Sequence, residues 1–485
     1  MEQPVWDRLL HSLSKGDPGS PGGGSADMLR KVLSRVALAQ EPVPRSEISK
    51  GSMLIRPTPL AAGSVGKAVE ALKREGLLIA QDKVNTAQPG PPIEPLRLSD
   101  KWAVIGIHID QQHGGPDRLS GTICGLDRKQ LVDQPVECSV PREGDHRDLR
   151  GLAEAIRKLA ETLLAQLTSQ HKFLGIGVAI GGHVHDGVVQ DSVHAGWDGP
   201  VRLREALTEV FEEVPQLKKV PVIVENDVNA LAIHGYYERS FEGLDVALTA
   251  VYRQGVGGAL ILNGRVYRGA GGMAPEPGHL PVEYPEDQPG WSLPAWRPST
   301  AEGRTFSDEC LCSTKERRAY GHVETLAVPA RIEAQLAADK PGEKISLEDA
   351  ATAPQSIPQG ENTFVLTPEA VVMRRAGRAL GRGLSEMINI LNPGQLVLRL
   401  PRALATPPPQ SSGAEYLAAV EREVDRAYST GARDARGEHL RLKILPYENH
   451  EQMAREVAVA AATTAFNAFL EYTRGFDKRL SARAA

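Results

Sequence analysis

Cysteine is scarce in this chain, which has four cysteines among 485 residues. Thiols so few and so unevenly spaced do not make the disulfide framework of a small secreted domain. The amino-terminal segment MEQPVWDRLLHSLSKGDPGS lacks the apolar core of a secretory signal and carries acidic residues. These two absences argue against an exported protein, and we expect a cytoplasmic one.

Long apolar runs and a strong net charge are also missing. The longest candidate for a membrane-spanning segment, Val457–Leu470, is well short of the roughly 20 apolar residues that a crossing helix needs, so we expect a buried helix there. A formal charge of -5 argues against a protein that coats nucleic acid or membrane with its whole surface. It leaves room for a local basic module.

A composition typical of flexible linkers, GDPGSPGGGS, occupies residues 16–25. We therefore predict a flexible amino-terminal tail over residues 1–25 and a folded module over residues 26–100. Apolar periodicity predicts three helices in this module, in ADMLRKVLSRVALAQ, in RSEISKG and over Ala61–Glu75, followed by two strands. Three helices and a two-stranded flap are typical of a winged helix-turn-helix, whose third helix enters the DNA major groove.

The charge of this module favours DNA as its partner. Residues 27–83 contain ten lysines or arginines and six aspartates or glutamates. Ser64 and Lys67 lie at the start of the third predicted helix, and Arg56 and Lys50 lie close by in the chain, where they can contact phosphates. The alternative is a small helical module for protein interaction or dimerisation.

Strands and helices alternate from Lys101 onward, which indicates a two-lobed α/β fold. We predict a small lobe over residues 101–220, closed by a carboxy-terminal helix within residues 451–485, and a large lobe over residues 221–450. Residues 402–415, RALATPPPQSSGAE, are predicted to be a loop from their composition.

Polar residues at four predicted strand ends are the candidates for ligand binding, because ligands of α/β folds bind beyond the carboxyl ends of strands. These ends read AIGGH, VENDVN, RQGVGG and PEPGH. Asn226 and Asp227 also open a helix, so they can be interpreted as its amino-terminal cap. Together with Glu276 and His279 they offer carboxylates, an amide and an imidazole, the groups that bind several hydroxyls in one pocket.

Two cysteines, Cys310 and Cys312, are separated by one residue, and His322 follows ten residues later. With His279 they would supply two nitrogens and two sulfurs, the tetrahedral ligand set that zinc prefers. The alternative is a pair of buried structural thiols.

In their order along the chain these segments resemble the ROK (repressor, open reading frame, kinase) family. The resemblance covers about residues 27–480 and rests on GIGVAIGGHV, VENDVNALA, QGVGGALILNGRVYRGAGGMAPEPGH, CLC with GHVE, and LGRGLSEMINILNPGQLVL. It implies an amino-terminal winged helix-turn-helix followed by a two-lobed actin-like (ribonuclease-H-like) fold of the sugar-kinase ATPase type. It also implies a homodimer or homotetramer.

The resemblance further implies the residues of the ligand site. Sugar kinases of the family bind ATP between the lobes and use the aspartate of the Asn-Asp pair, here Asp227, as a base on a sugar hydroxyl. The sugar contacts implied for this chain are Asn226, Asp227, Glu276, His279, Glu324 and Gly182. The structural zinc would be held by His279, Cys310, Cys312 and His322, with His322 in the place of the family's third cysteine.

The three segments that contact the nucleotide in the family's kinases differ in this chain. The first phosphate loop reads HIDQQHGG, the second phosphate turn reads RQGVG from Arg253, and the third region reads LVLRLP. The departing residues are His108, Asp110, Gln111, Gln112, Arg253, Gln254, Arg399 and Leu400. These bulky or charged side chains occupy the positions where backbone amides would approach phosphate. We therefore expect neither ATP binding nor enzymatic activity.

These features predict a DNA-binding transcriptional regulator that responds to a sugar or sugar phosphate, a repressor of carbohydrate or amino-sugar metabolism genes. A ligand bridging Asn226, Asp227, Glu276 and Glu324 would favour one arrangement of the lobes, and that would change the spacing of two recognition helices in a dimer. One alternative is an ATP-dependent sugar kinase with an accessory DNA-binding domain, in which Asp227 is the general base. Another is an interaction scaffold that binds neither sugar nor DNA.

Overall fold

The chain folds into two compact units, Met1–Phe241 with Ala454–Ala485, and Glu242–Met453. The computed structural model describes residues 4–14, 25–82, 93–111, 116–140, 148–167, 171–191, 197, 199–241, 243–282, 321–339, 345–359, 364–428 and 442–474. Among these described residues, no helix is long and apolar enough to cross a membrane.

The helices and strands of the first unit begin with a helical segment, continue through a winged module and end in an α/β sandwich. They are α1 Pro4–Ser14, α2 Ala26–Leu38, α3 Arg45–Lys50, α4 Ala62–Arg74, β1 Leu78–Ala80, β2 Leu96–Leu98, β3 Trp102–Asp110, β4 Asp117–Gly125, β5 Val136–Val140, α5 Leu149–Leu164, β6 Lys172–Ile180, β7 His183–His185, β8 Val188–Asp191, α6 Leu203–Phe211, β9 Val222–Asn226, α7 Asp227–Tyr237 and α14 His450–Thr473, which lies in this unit from Ala454 onward.

The second unit is built from one sheet and the helices that cover it. Its elements are β10 Val246–Val251, β11 Val256–Leu262, β12 Arg265–Tyr267, a 3₁₀ turn Pro277–His279, α8 Val323–Ala327, α9 Pro329–Asp339, α10 Leu347–Thr352, β13 Ser356–Pro358, β14 Phe364–Leu366, α11 Pro368–Leu391, β15 Gln395–Pro401, α12 Arg402–Ala405, α13 Ser412–Tyr428 and β16 Leu442–Tyr447.

The winged helix-turn-helix is confirmed. Helices α2, α3 and α4 are followed by β1 and β2, which pair antiparallel with Leu78 opposite Leu98. The long connection between α3 and α4 is held from inside by Arg35, which is 4% exposed and donates to the carbonyls of Ser49 and Thr58. These bonds satisfy the buried guanidinium, and burial lowers its pKa. A connection longer than a tight turn is therefore still ordered.

The amino-terminal tail is not flexible throughout, so this prediction is wrong over residues 4–14. Helix α1 buries Trp6, Leu9, Leu10 and Leu13, which follow the i, i+3, i+4, i+7 spacing of one helical face. The indole Nε1 of Trp6 donates to the carbonyl of Leu174 at 2.6 Å. The signal was present in the sequence, but the linker composition beside it obscured it. Residues 15–24 lie outside the described ranges.

The sheet of the first unit has five strands in the order β5-β4-β3-β6-β9. Strands β3, β6 and β9 run parallel, and β4 and β5 are antiparallel to their neighbours. Because β9 pairs with β6 from Ile176 to Ile180, β9 and α7 belong to the first unit. The predicted boundary after residue 220 is therefore too early, and the division lies after Phe241.

Helix α14 covers one face of this sheet at very close range. A Cβ atom at Gly106 would lie 1.9 Å from the carbonyl oxygen of Ala458, and one at Gly177 would lie 1.8 Å from that of Ala461. Contacts this short are impossible, so the two adjacent strands must carry glycine where α14 passes. The predicted closing helix within residues 451–485 is thus seated on β3 and β6.

The sheet of the second unit has the order β12-β11-β10-β15-β16, with β10, β15 and β16 parallel. Helices α11 and α13 of this unit pack closely against each other at Gly377, where a Cβ would meet the carbonyl oxygen of Tyr416 at 2.1 Å. The predicted loop over residues 402–415 is wrong at both ends, because α12 occupies its start and α13 begins at Ser412. Its prolines separate two helices instead of marking one continuous loop.

Candidate functional site

The exposed face of α4 is the candidate DNA interface. Val65, Ala68, Val69 and Leu72 point inward and are buried, which leaves Lys67 exposed on the outer face. Arg56 is also exposed, and neither Lys67 nor Arg56 forms an ion pair with any residue of the described ranges. Ser64 is half-buried. Of the predicted DNA contacts, Lys67 and Arg56 therefore present positive charge outward.

Several other charges of this module are paired locally. Lys50, the fourth predicted contact, lies 2.9 Å from Glu47 of its own helix. Glu70, on the outer face of α4, pairs with Arg45. Lys73 lies 3.0 Å from Glu94 in the approach to β2. The carboxylates of Glu47, Glu70 and Glu94 are thus each paired with a cation of the module.

Two glycines near the start of α4 have no packing reason within the unit. Cβ atoms added at Gly63 and Gly66 would meet nothing within 4 Å. Each glycine costs a helix about 1 kcal/mol relative to alanine. The first turns of α4 therefore lack side chains at these two positions, at a cost in helix stability. Another molecule can approach the backbone closely there.

Asn226 and Asp227 lie at the carboxyl edge of the first sheet, and the capping interpretation is correct for Asn226. Its Oδ1 accepts from the backbone N–H groups of Val228 and Asn229, both at 3.0 Å. Its Nδ2 donates to the carbonyl of Gly182 at 3.0 Å. One side chain therefore starts α7 and holds the glycine turn after β6.

Asp227 is 9% exposed, and its Oδ1 accepts from the N–H of Val228 at 2.8 Å. It faces the glycine turn, where a Cβ at Gly181 would lie 4.0 Å from Asp227 Oδ2 and 3.0 Å from Gln111 Oε1. Gln111 and Asp227 thus flank the same glycine. A carboxylate here can accept a hydroxyl proton, and a glutamine amide stands beside it.

Two further residues, Glu225 and Asn229, were not predicted from the sequence. They stabilise the start of α7 through hydrogen bonds. Glu225 is 4% exposed, and its Oε1 accepts from the N–H of Asn226 and from Asn229 Nδ2, both at 3.0 Å. The signal was a glutamate inside an otherwise apolar strand end, VENDVN, because a buried carboxylate requires partners. The pair makes the start of α7 rigid.

The second unit brings together Glu276, His279, His322 and Glu324, although the first two and the last two are far apart in sequence. The N–H of Val282 donates to the carbonyl of Gly321 at 2.9 Å, and that of Val323 donates to Leu280 at 3.1 Å. These backbone bonds join the two segments that carry the four side chains. The predicted grouping of Glu324 with Glu276 and His279 is therefore a property of the folded second unit.

His279 lies between two carboxylates. Its Nε2 is 3.7 Å from Glu276 Oε2, and its Nδ1 is 3.7 Å from Glu324 Oε1. These distances are too long for hydrogen bonds, but they place acceptors on both sides of the ring. Glu324 has an 8% exposed side chain, and Gly278 must lack a Cβ, which would lie 2.5 Å from Val256 O. The cluster suits several hydroxyls.

Two of the four predicted zinc ligands are close in space. The rings of His279 and His322 have centroids 6.1 Å apart and an interplanar angle of 76°, an arrangement that two imidazoles on one metal can adopt. Cys310 and Cys312 lie outside the described residues. The part of the chain that is described contains no group of three or more His, Cys, Asp or Glu arranged to hold a metal.

The segments whose sequences differ from the family's phosphate loops carry bulky side chains that contact other residues. Arg253 forms a bidentate ion pair with Glu333 of α9, with N–O distances of 2.6 and 3.3 Å. The N–H of Ala330 donates to the Arg253 carbonyl at 3.0 Å. This turn is therefore closed onto α9 by its own chain. In the first unit His108 and Asp110 are buried, and Gln112 lies outside the described ranges.

The double role of Asn226 can be separated by substitution. Asn226→Ala removes the cap and the bond to Gly182, and should lower the free energy of unfolding by about 1–2 kcal/mol. Asn226→Ser keeps a capping oxygen, loses the donor to Gly182 and adds no charge beside Glu225 and Asp227, so its loss should be smaller. Urea denaturation of both variants measures this. Equal stability of Asn226→Ala and the unsubstituted protein would contradict the capping assignment.

The sequence of this chain matches that of a known protein family. The ROK family model matches residues 113–400. A glucokinase of Halalkalibacterium halodurans is 26% identical over 249 residues, which is 50% of this chain and 66% of that protein, just under two thirds of its length. The DNA-binding transcriptional dual regulator NagC of Escherichia coli K12 is 24% identical over 399 residues, covering 78% of this chain and 84% of that protein.

A solved structure extends the similarity over nearly the whole fold. It is the crystal structure of a ROK family transcriptional regulator, a homologue of the E. coli MLC protein. The two structures superpose with a TM-score of 0.59 at 18% identity, covering 92% of this chain and 100% of the other. At this identity the match supports the fold alone.

Proposed function

The chain belongs to the ROK family, and we propose that it is a DNA-binding transcriptional regulator that responds to a sugar or sugar phosphate. The observation that carries the proposal is the winged helix-turn-helix, α2 to β2, in the same compact unit as Asn226 and Asp227. The match to the E. coli regulator spans 78% of the chain, against 50% for the glucokinase. The regulated genes are proposed to serve carbohydrate or amino-sugar metabolism, with this protein as their repressor.

Each unit contributes side chains that we propose as effector contacts. In the first unit these are Asn226, Asp227 and Gly182. In the second unit they are Glu276, His279 and Glu324. Carboxylates accept from sugar hydroxyls, and an amide or imidazole N–H donates to them, so each set suits a hydroxyl-bearing ligand.

We propose that the protein has no kinase activity, although Asp227 stands at the position of the kinase base. The Arg253–Glu333 ion pair supports this, because it engages a turn that would otherwise be open to phosphate. Gln111 beside Asp227 supports it as well, since its side chain occupies space at Gly181. The alternative of a sugar kinase with an accessory DNA-binding domain would require both segments to rearrange.

Binding to DNA is tested first. The protein should select duplexes from a random library at low salt, and Lys67→Gln and Arg56→Gln should each weaken binding and reduce the slope of log affinity against log salt by about one. Lys158→Gln, which removes an exposed cation from α5, is the control and should change neither. Absence of any duplex binding at low salt would refute the regulator.

Effector binding is tested by thermal denaturation with glucose, N-acetylglucosamine, their 6-phosphates and ATP. A sugar that binds the folded state raises Tm by mass action, and Glu324→Gln should reduce that rise because it weakens a hydroxyl acceptor. ATP should give no rise. Phosphorylation of any of these sugars from ATP would instead establish the kinase.

We also propose a structural zinc held by His279, Cys310, Cys312 and His322, which would orient His279 towards the sugar. Elemental analysis of protein never exposed to chelator should find about one zinc per chain. Cys310→Ser should lose the metal and weaken the sugar response. Cys138→Ser is the control, since burial raises the pKa of that thiol. Protein that is folded and free of zinc would refute the site.

A further inference from the structure

Helix α7 runs from the candidate sugar contacts to the DNA-binding module within one unit. It begins at Asp227, capped by Asn226, and ends at Tyr237. Its 11 residues correspond to a rod of about 16 Å. Most of its side chains are buried on every side, so a displacement at its first turn cannot be absorbed by bending alone.

The far end of α7 is hydrogen-bonded to the winged module at two places. Gln40 Nε2, just after α2, donates to the carbonyl of Tyr237 at 3.1 Å. Arg239 Nη1 donates to the carbonyl of Met53 at 2.6 Å. Met53 lies in the connection that leads into α4, the same connection that Arg35 holds from inside. The end of α7 is thus attached directly to the segment that precedes the recognition helix.

The backbone at Arg239 indicates that its side chain is retained for this contact. Its φ is 52°, in the left-handed region that follows many helix ends and that favours glycine. The N–H of Ser240 donates to the carbonyl of Gly235 at 2.9 Å, which completes the helix end without help from a side chain. Glycine would adopt this backbone conformation with less strain. We therefore attribute the arginine to the hydrogen bond that its guanidinium makes.

The opposite end of α4 is anchored elsewhere. Trp102 Nε1 donates to the carbonyl of Glu75 at 2.8 Å, Ser12 Oγ donates to the Glu75 carboxylate at 2.5 Å, and Arg74 donates to the Ser12 carbonyl at 3.1 Å. The carboxyl end of the recognition helix is therefore fixed to α1 and β3. Its amino end, which carries Ser64 and Lys67, is reached through the connection that α7 holds.

We propose that α7 transmits sugar occupancy to the recognition helix, with Arg239 and Gln40 as the positioning residues at its far end. This rests on the proposed function. A sugar on Asn226 or Asp227 moves or stiffens the first turn of α7, and the two bonds pass that change to the connection before α4. Since α4 is fixed at its other end, the change alters the presentation of Ser64 and Lys67 to DNA. The coupling requires that these bonds differ between the sugar-bound and sugar-free states.

Arg239→Gly and Gln40→Ala test the link, separately and together. Arg239→Gly suits the left-handed backbone, so the variant should fold. The matched control is Lys219→Gly, which also removes a cationic side chain from a left-handed residue, with φ 64°, and that side chain is exposed. Affinity for a selected duplex is measured with and without glucose, N-acetylglucosamine and their 6-phosphates.

The unsubstituted protein and Lys219→Gly should show a sugar-dependent change in DNA affinity of about tenfold, inside the usual range of allosteric coupling. The double variant should keep its sugar-induced rise in Tm, and its DNA affinity should change less than about twofold with sugar. Arg239→Lys should restore part of the response, because an ammonium can still donate to the Met53 carbonyl.

The outcomes separate this proposal from the proposed function. If the double variant responds to sugar as strongly as the unsubstituted protein, α7 is not the link, and the regulator stands. If the unsubstituted protein binds sugar and DNA without any coupling, the link is refuted as well. If it binds no DNA at all, the regulator and the link fall together.

Discussion

The close approach of α14 to the first sheet is the constraint on which the first unit depends. Gly106 and Gly177 let the helix backbone touch the strands, where any Cβ would collide with it. The same helix then supports other elements. Trp6 of α1 packs on Phe469 and Tyr472, and His234 and Tyr237 of α7 hydrogen-bond to Thr463 and Asn467. A helix from the end of the chain thus orders both its first helix and the candidate sugar edge.

That arrangement attaches the winged module to the rest of its unit on both sides of α4. Helix α1 holds the carboxyl end of α4 through Ser12 and Glu75, and α7 holds the connection before α4 through Arg239. Because both α1 and α7 rest on α14, the module is fixed against the same support at two points. The proposed function as a regulator would need such a defined linkage, since DNA half-site spacing tolerates little displacement.

Much of the fold could be predicted from the sequence because its signals are local. Apolar periodicity located α2 and α4, and glycine-rich strand ends located β6 and β10. The errors arose where local composition competed with packing. Linker composition hid α1, and three prolines hid the start of α13. From the sequence, Asn226 could be interpreted either as a helix cap or as a ligand contact, because both roles use the same side chain.

The sequence by itself determined the family, the order of the elements and the residue types available to a site, because these are recorded in periodicity and motif. Only the tertiary structure decided that Arg253 closes its turn onto Glu333 and that Glu324 stands beside His279. It alone decided that Arg239 reaches Met53. These pairs are far apart in the chain, and their distances depend on how helices and sheets pack, which no local pattern of residues encodes.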